Sequence, residues 1–150
     1  MNIRIAERQD LDRIIELLAD DKLGQMREAF RQPLPAEYIT AFKKITADPN
    51  QDLIVLENTD GKVIGCMQLT FIQYLTYRGG IRAQIEGVHI AKEEQQKGLG
   101  KRMFKWAIER AKERGAHLVQ LTSDKVRPEA LQFYHKLGFR DSHEGLKLHL

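Results

Sequence analysis

The sequence predicts an α/β (or α+β) domain built around one mixed sheet. Three observations point there. Helix-spaced apolar positions mark two stretches of the first 47 residues. Strand-like apolar runs separated by turn residues fill 53–91. Helix and strand then alternate from about 98 onward. A chain of 150 residues suits one domain, taken as 1–150, and can bury a core without disulfide or metal staples.

Ile3 and Ile5 alternate with polar neighbours and open a first strand. Asp10 is placed to cap a helix in which Leu11, Ile14, Ile15 and Leu18 recur at helical spacing. Residues 20–35 are polar, contain Gly24, Pro33 and Pro35, and read as a loop or broken helix. Tyr38, Ile39, Phe42 and Ile45 mark a helix over 36–47, stopped by Asp48-Pro49-Asn50. Leu53 to Glu57 is a short apolar strand. Asn58-Thr59-Asp60-Gly61 is a hairpin turn, because Asp-Gly readily takes the positive φ such turns need. Lys62 to Tyr74 and Ile81 to Ala91 are further strands, broken at Gly79-Gly80. A helix over about 98–114 carries the stripe Leu99, Met103, Ala107, Ile108 and Ala111, and ends at Gly115. His117 to Leu121 is a strand. Pro128 starts a last helix that stops at Gly138, and Phe139 begins a final strand. The expected order is β-α-α-β-β-β-α-β-α-β.

Composition narrows the function classes. Cys66 is the single cysteine, so an intrachain disulfide and a four-cysteine zinc site are excluded. It sits in an apolar strand and reads as an inert buried thiol. The five histidines show no metal-ligand spacing, so no metal is expected. No apolar run approaches the roughly 20 residues that span a bilayer, and the first residues lack a signal-peptide core. A cytoplasmic protein without membrane contacts is the expectation. The net charge of +3 is local: residues 92–114 hold eight basic and four acidic side chains, so the remainder carries −1.

That basic segment begins at Gln95-Gln96-Lys97-Gly98-Leu99-Gly100-Lys101, directly after the apolar strand Val88-His89-Ile90. The first backbone N–H groups of a helix lack intrahelical partners, and glycine lets an anion approach them. The spacing fits neither a P-loop nor a dinucleotide fingerprint, since one residue separates the glycines and Met103 follows three after Gly100. Gln95-x-x-Gly98-x-Gly100 instead resembles the Gln/Arg-x-x-Gly-x-Gly/Ala signature of the GNAT superfamily of acetyl-CoA-dependent N-acetyltransferases. Ala130-Leu131-Gln132-Phe133-Tyr134-His135-Lys136-Leu137-Gly138-Phe139 is similar to that family's Ala-x-x-Phe-Tyr-x-x-x-Gly-Phe segment. Two departures stand out: Arg127 where the family often has Asn, and Lys92 where a proline often precedes the loop.

The resemblance implies a mostly antiparallel mixed sheet with helices on both faces. It implies acetyl-CoA as cosubstrate and direct attack by a primary amine in a ternary complex. Coenzyme binding then falls to Val88, His89, Ile90, Gln95, Gln96, Lys97, Gly98, Leu99, Gly100, Lys101 and Tyr134. Arg127, where the chain departs from the family, is a further coenzyme-binding candidate, either reaching a coenzyme phosphate or an acidic substrate group or simply solvated. The main chain of Val88 and Ile90 would hold the pantetheine and the acetyl oxygen. Tyr134 corresponds to the family's frequent general acid. From the residues themselves, Glu86 is the best candidate base, a carboxylate inside an apolar strand that could take the amine proton directly or through water. Alternation places His89 on the opposite sheet face.

The resemblance puts the acceptor site at 20–38 and 73–80, where Asp20, Asp21, Glu28, Glu37, Tyr38, Tyr74 and Tyr77 are candidates. The expected acceptor is a small-molecule or peptide amine, and a homodimer fits family habit. A second reading is a non-catalytic acyl-CoA sensor or regulatory module on the same fold. A third, a nucleic-acid-binding regulator, lacks a recognition-helix motif, and nucleic acid is not an expected partner.

Overall fold

The computed structural model describes residues 1–20, 22–126 and 128–150, with Pro128 described in its backbone alone. The chain forms two compact units, Met1–Gln120 and Leu121–Leu150. A five-stranded sheet has the order β1-β2-β3-β4-β5, with β1 Asn2–Ile5, β2 Gln51–Glu57, β3 Val63–Gln73, β4 Ile81–Ile90 and β5 Ala116–Leu121. The first three pairings are antiparallel. Among the helices of the first unit, α1 is Leu11–Ala19, α2 Gly24–Arg27 and α3 Ala36–Ala47. The single turn α4, Thr76–Gly79, joins β3 to β4, and α5, Leu99–Glu113, joins β4 to β5.

The central strands are buried on both faces: Ile54, Val55 and Leu56 have no exposure, and Ile64, Cys66 and Met67 almost none. Continuous apolar runs of this kind need cover on each side. On one face α5 supplies it through Leu99, Met103, Phe104, Ala107 and Ala111. Opposite, α1 packs on β3 and β4 while α3 packs on β2. The expected stripe of α5 gains Phe104 as a buried member, and Ile108 is only half-buried.

Asp10 departs from its expected part. It does not cap α1, because its own backbone is already helical. It is the last residue of a 3-10 turn, Arg8–Asp10, and its carboxylate reaches back to accept the Glu7 N–H at 2.7 Å. Arg4 donates to it at 2.6 and 3.0 Å and also donates to Glu57 at 2.8 Å. The guanidinium thus ties β1, the 3-10 turn and the end of β2 together. Burial of Asp10 opposes its ionisation. The Arg4 and Glu7 donors outweigh that and hold its carboxyl below the usual range.

The hairpin at Asn58 forms as expected. The Asn58 side-chain oxygen accepts the N–H groups of Asp60 and Lys62 at 3.0 and 2.9 Å, and Gly61 takes φ 77°. An extra residue near Leu56 and Glu57 shifts the register where the hairpin begins.

The second unit carries α6, Pro128–Lys136. Its end explains the Tyr-His-Lys-Leu-Gly-Phe pattern in backbone terms. Gly138 is left-handed at φ 95°, its N–H donates to the His135 carbonyl at 2.9 Å, and the Phe139 N–H donates to the Tyr134 carbonyl at 3.1 Å. That pair of bonds is a Schellman motif, closed by a contact between the Tyr134 and Phe139 rings at 6.2 Å.

The final strand expected from Phe139 does not form: residues 139–150 have no regular structure. Leu146, Leu148 and Leu150 alternate with polar residues, yet all three are exposed. Alternation sorts side chains onto two faces, but a strand also needs a neighbouring ladder.

Candidate active site

The site grows from an irregularity in β4. Gln68 stands opposite Glu86 and Cys66 opposite His89, so one residue of β3 faces two of β4, Gly87 and Val88. This β-bulge sits on Gly87, whose φ of 59° is a conformation glycine adopts without penalty. The bulge corrects the expected alternation. Cys66 and Gln68 share a face, so Glu86 and His89 share one too, and His89 is not on the opposite side.

Beyond the bulge, Gly65 allows the close approach that sets the exit of β4. A Cβ there would lie 2.7 Å from the Ile90 side chain and 3.0 Å from the His89 carbonyl oxygen. The Ala91 N–H donates to the Ile64 carbonyl at 2.8 Å, so the N–H of Ile90 points to the edge away from β3.

A 3-10 turn, Lys92–Glu94, then leads into the glycine loop. Gln96 has φ 62° and Gly98 φ 76°, and Gly98 caps α5. Left-handed residues interleaved with extended ones turn successive backbone N–H groups toward one concavity. The first-turn N–H groups of α5 have no intrahelical acceptor. A Cβ at Gly98 would meet nothing within 4 Å, so this glycine answers to backbone angle and open space, not packing. Lys101 and Lys105 are exposed beside this terminus. The residues present therefore suit a pyrophosphate. Some side chains named from the sequence serve the loop itself. Gln95 donates to the Ile90 carbonyl at 3.0 Å, and Lys97 pairs with Glu94 at 2.9 Å. Leu99 is buried beneath the cap.

Glu86 is exposed, on the face of β4 away from α5. The amide of Gln84 donates to it at 2.9 Å, and the amide of Gln120 donates to Gln84 at 2.7 Å. On the same face Arg82 lies over the Tyr74 ring at 4.4 Å and the Tyr77 ring at 5.4 Å. Tyr77 stacks on His117 with centroids 4.9 Å apart. The turn that aims Tyr77 is strained: Tyr77 and Arg78 are both left-handed. Gly80 makes room for His117, since a Cβ there would come within 2.6 Å of its ring. Arg82, Gln84 and Gln120 were not singled out from sequence. The alternation Ile81-Arg82-Ala83-Gln84-Ile85-Glu86 held the signal, three polar residues on one face of a half-open strand.

Other expected residues scatter. Tyr38 donates to Glu28 at 2.9 Å and accepts the Ala29 N–H; burial foremost, and then Glu28, push its hydroxyl above its ordinary range. Asp20 pairs with Lys92 at 2.8 Å. Glu37 is exposed at the start of α3. Tyr134 is half-buried in the second unit, edge-on to Phe133 at 5.5 Å. Asp21 and Arg127 lie outside the described residues. Cys66 is buried, and burial pushes its thiol up to about 12. A thiol-specific reagent at neutral pH should therefore label the folded protein at least tenfold more slowly than the denatured chain, read as released chromophore. Equal rates would contradict the burial.

The pattern of the acetyltransferase (GNAT) family matches residues 11–139. The chain belongs to that family. A Bacillus halodurans C-125 protein described as a transcriptional regulator is 52% identical, superposes with a TM-score of 0.96, and is covered over 99% of each chain. The aminoalkylphosphonate N-acetyltransferase of Salmonella typhimurium is 25% identical over 94% of this chain and 86% of its own. A Clostridium acetobutylicum protein described as a predicted acetyltransferase and solved with acetyl-CoA has the same fold, at a TM-score of 0.76 and 22% identity, over 99% of this chain and 95% of that one. The GNAT chain is thus an acetyltransferase, and the bulged strand and glycine loop lie within the matched residues. No helix among the described residues is long and apolar enough to cross a membrane.

Proposed function

We propose that this GNAT protein moves an acetyl group from acetyl-CoA to a primary amine by direct attack within a ternary complex. The observation that carries this reading is the run from bulge to cap. Gly87 bends β4, the Ile90 N–H turns to the edge away from β3, and the left-handed Gln96 and Gly98 open the α5 terminus to an anion. Acetyl-CoA, when bound, supplies an acetyl group activated as a thioester.

The chain's own groups do the rest. The loop amides and the α5 terminus hold the pyrophosphate, with Lys101 adding charge. The main chain of Val88 and Ile90 orients the pantetheine and polarises the acetyl carbonyl, with donors set in place before the reaction. Glu86 takes the amine proton, directly or through water, and Tyr134 returns a proton to the departing sulfur. The relative that acetylates aminoalkylphosphonates supports an amine acceptor.

The test is release of free coenzyme A thiol with an amine panel. Amine-dependent release with formation of the amide supports the reading. Tight acetyl-CoA binding with no turnover on any amine would favour the sensor reading instead. Glu86→Gln is expected to lower kcat/KM near neutral pH by about 10²-fold and to flatten the acidic limb of the pH profile. An unchanged profile would remove Glu86 as the base.

A further inference from the structure

Arg82 is an uncompensated cation beside the proposed base. Among the described residues no carboxylate lies within ion-pair distance of it, and its buried Nε has no hydrogen-bond partner. Its one side-chain hydrogen bond, from Nη1 to the Gln120 oxygen, is long at 3.4 Å. A half-buried guanidinium usually satisfies its planar fork with a carboxylate or another oxyanion. Here the rings of Tyr74 and Tyr77 hold the guanidinium in position without neutralising it.

The surroundings keep that cation apart from Glu86. Arg82 donates to Gln120, Gln120 donates to Gln84, and Gln84 donates to Glu86. Two neutral amides thus stand between opposite charges on one strand face. Four residues of strand separate the two Cα atoms by roughly 13 Å. A glutamate placed closer would collapse onto the arginine and cancel both.

We infer that Arg82 is the docking group for an oxyanion carried by the amine acceptor, so that the substrate is an anionic primary amine laid along β4. The amine end meets Glu86, and a carboxylate or phosphonate at the other end takes the free donors of the guanidinium. Tyr74 and Tyr77 flank that anionic end. This deepens the acetyltransferase reading and rests on it for the role of Glu86, while the anion site itself stands on the geometry of Arg82.

The experiment compares γ-aminobutyrate, aminopropylphosphonate and butylamine, acceptors of similar length that differ in charge. Binding is read by calorimetry and acetyl transfer by thiol release, for the wild type, Arg82→Gln and Arg82→Lys. The expected wild-type preference for an anionic amine over butylamine is at least about tenfold, from charge-assisted hydrogen bonds. Arg82→Gln should abolish it through KM with little change in kcat, and Arg82→Lys should restore part of it. The tighter of the two anionic ligands identifies the oxyanion. No wild-type preference, or a parallel loss on all three acceptors in Arg82→Gln, would overturn the inference. Arg82-dependent binding without acetyl transfer to any amine would uphold the anion site and sink the acetyltransferase mechanism.

Discussion

Tyr134→Phe is expected to lower kcat by about 10²-fold while leaving the melting temperature and the KM for acetyl-CoA close to wild type. The ring itself has a structural duty that phenylalanine preserves. It packs edge-on against Phe133 and Phe139 at the end of α6, where the Schellman motif fixes the turn through the Tyr134 carbonyl. Only the hydroxyl is removed, so a loss of turnover without a loss of stability isolates the proton. Single-turnover measurement across pH gives the sharper reading. If the hydroxyl protonates the leaving sulfur, the substitution should slow the chemical step and remove the basic limb of the profile. Wild-type turnover at every pH would leave Tyr134 with packing alone. Tyr134→Ala serves as the contrast, since it should also destabilise the fold by opening a gap in the aromatic cluster.

The second large effect concerns stability. Asp10→Ala should destabilise the protein by about 3 kcal/mol, because it removes one of the two carboxylates that pair with the half-buried Arg4 and leaves the Glu7 N–H without an acceptor. For a domain of this size each kcal/mol lowers the melting temperature by roughly 2–4 °C. The pH dependence has a definite sign. The folded carboxyl titrates below its unfolded value, so its contribution is fully present above the unfolded pKa of 3.8. It is lost as pH falls through the folded value. Urea denaturation should therefore separate wild type from Asp10→Ala widely at pH 7, and the gap should close as the medium is acidified well below pH 4. A gap that stays constant through that range would show that the carboxylate charge is not what stabilises this junction.

Asp10 also shows where local pattern and structure part company. An aspartate before a run of helix-spaced leucines and isoleucines is a sound capping signal, and α1 does begin after it. What decided its role was Arg4, six residues back on β1, together with Glu57 from β2. The same holds at His89. Alternation is a rule for unbroken strands, and Gly87 breaks this one. A glycine inside a strand is a recognised sign of a bulge, so the warning was present, but the side on which the extra residue is absorbed depends on the register with β3.

Most elements were legible because their information is local. The apolar spacing of α1, α3 and α5, the Asn58 turn, and the glycine stops at Gly115 and Gly138 all act within a few residues. The glycine loop was legible for the same reason, since backbone angles at Gly98 need no distant partner. The Arg82–Gln120–Gln84–Glu86 chain was not legible, because Gln120 comes from β5 and meets β4 only after the α5 crossover. The tail after Phe139 erred in the opposite direction: its pattern was local, but a strand requires a partner that pattern cannot supply.

By itself the sequence determined the fold class, the family and the position of the glycine turn before α5, all carried by short-range spacing of apolar residues and glycines. Only the tertiary structure decided which charges are neutralised and which are left free. Asp10 and Arg4 cancel at the β1–β2 junction, while Arg82 and Glu86 stay apart on β4. Charge compensation depends on distances of a few ångströms between residues far apart in the chain, and those distances exist only once the sheet has formed.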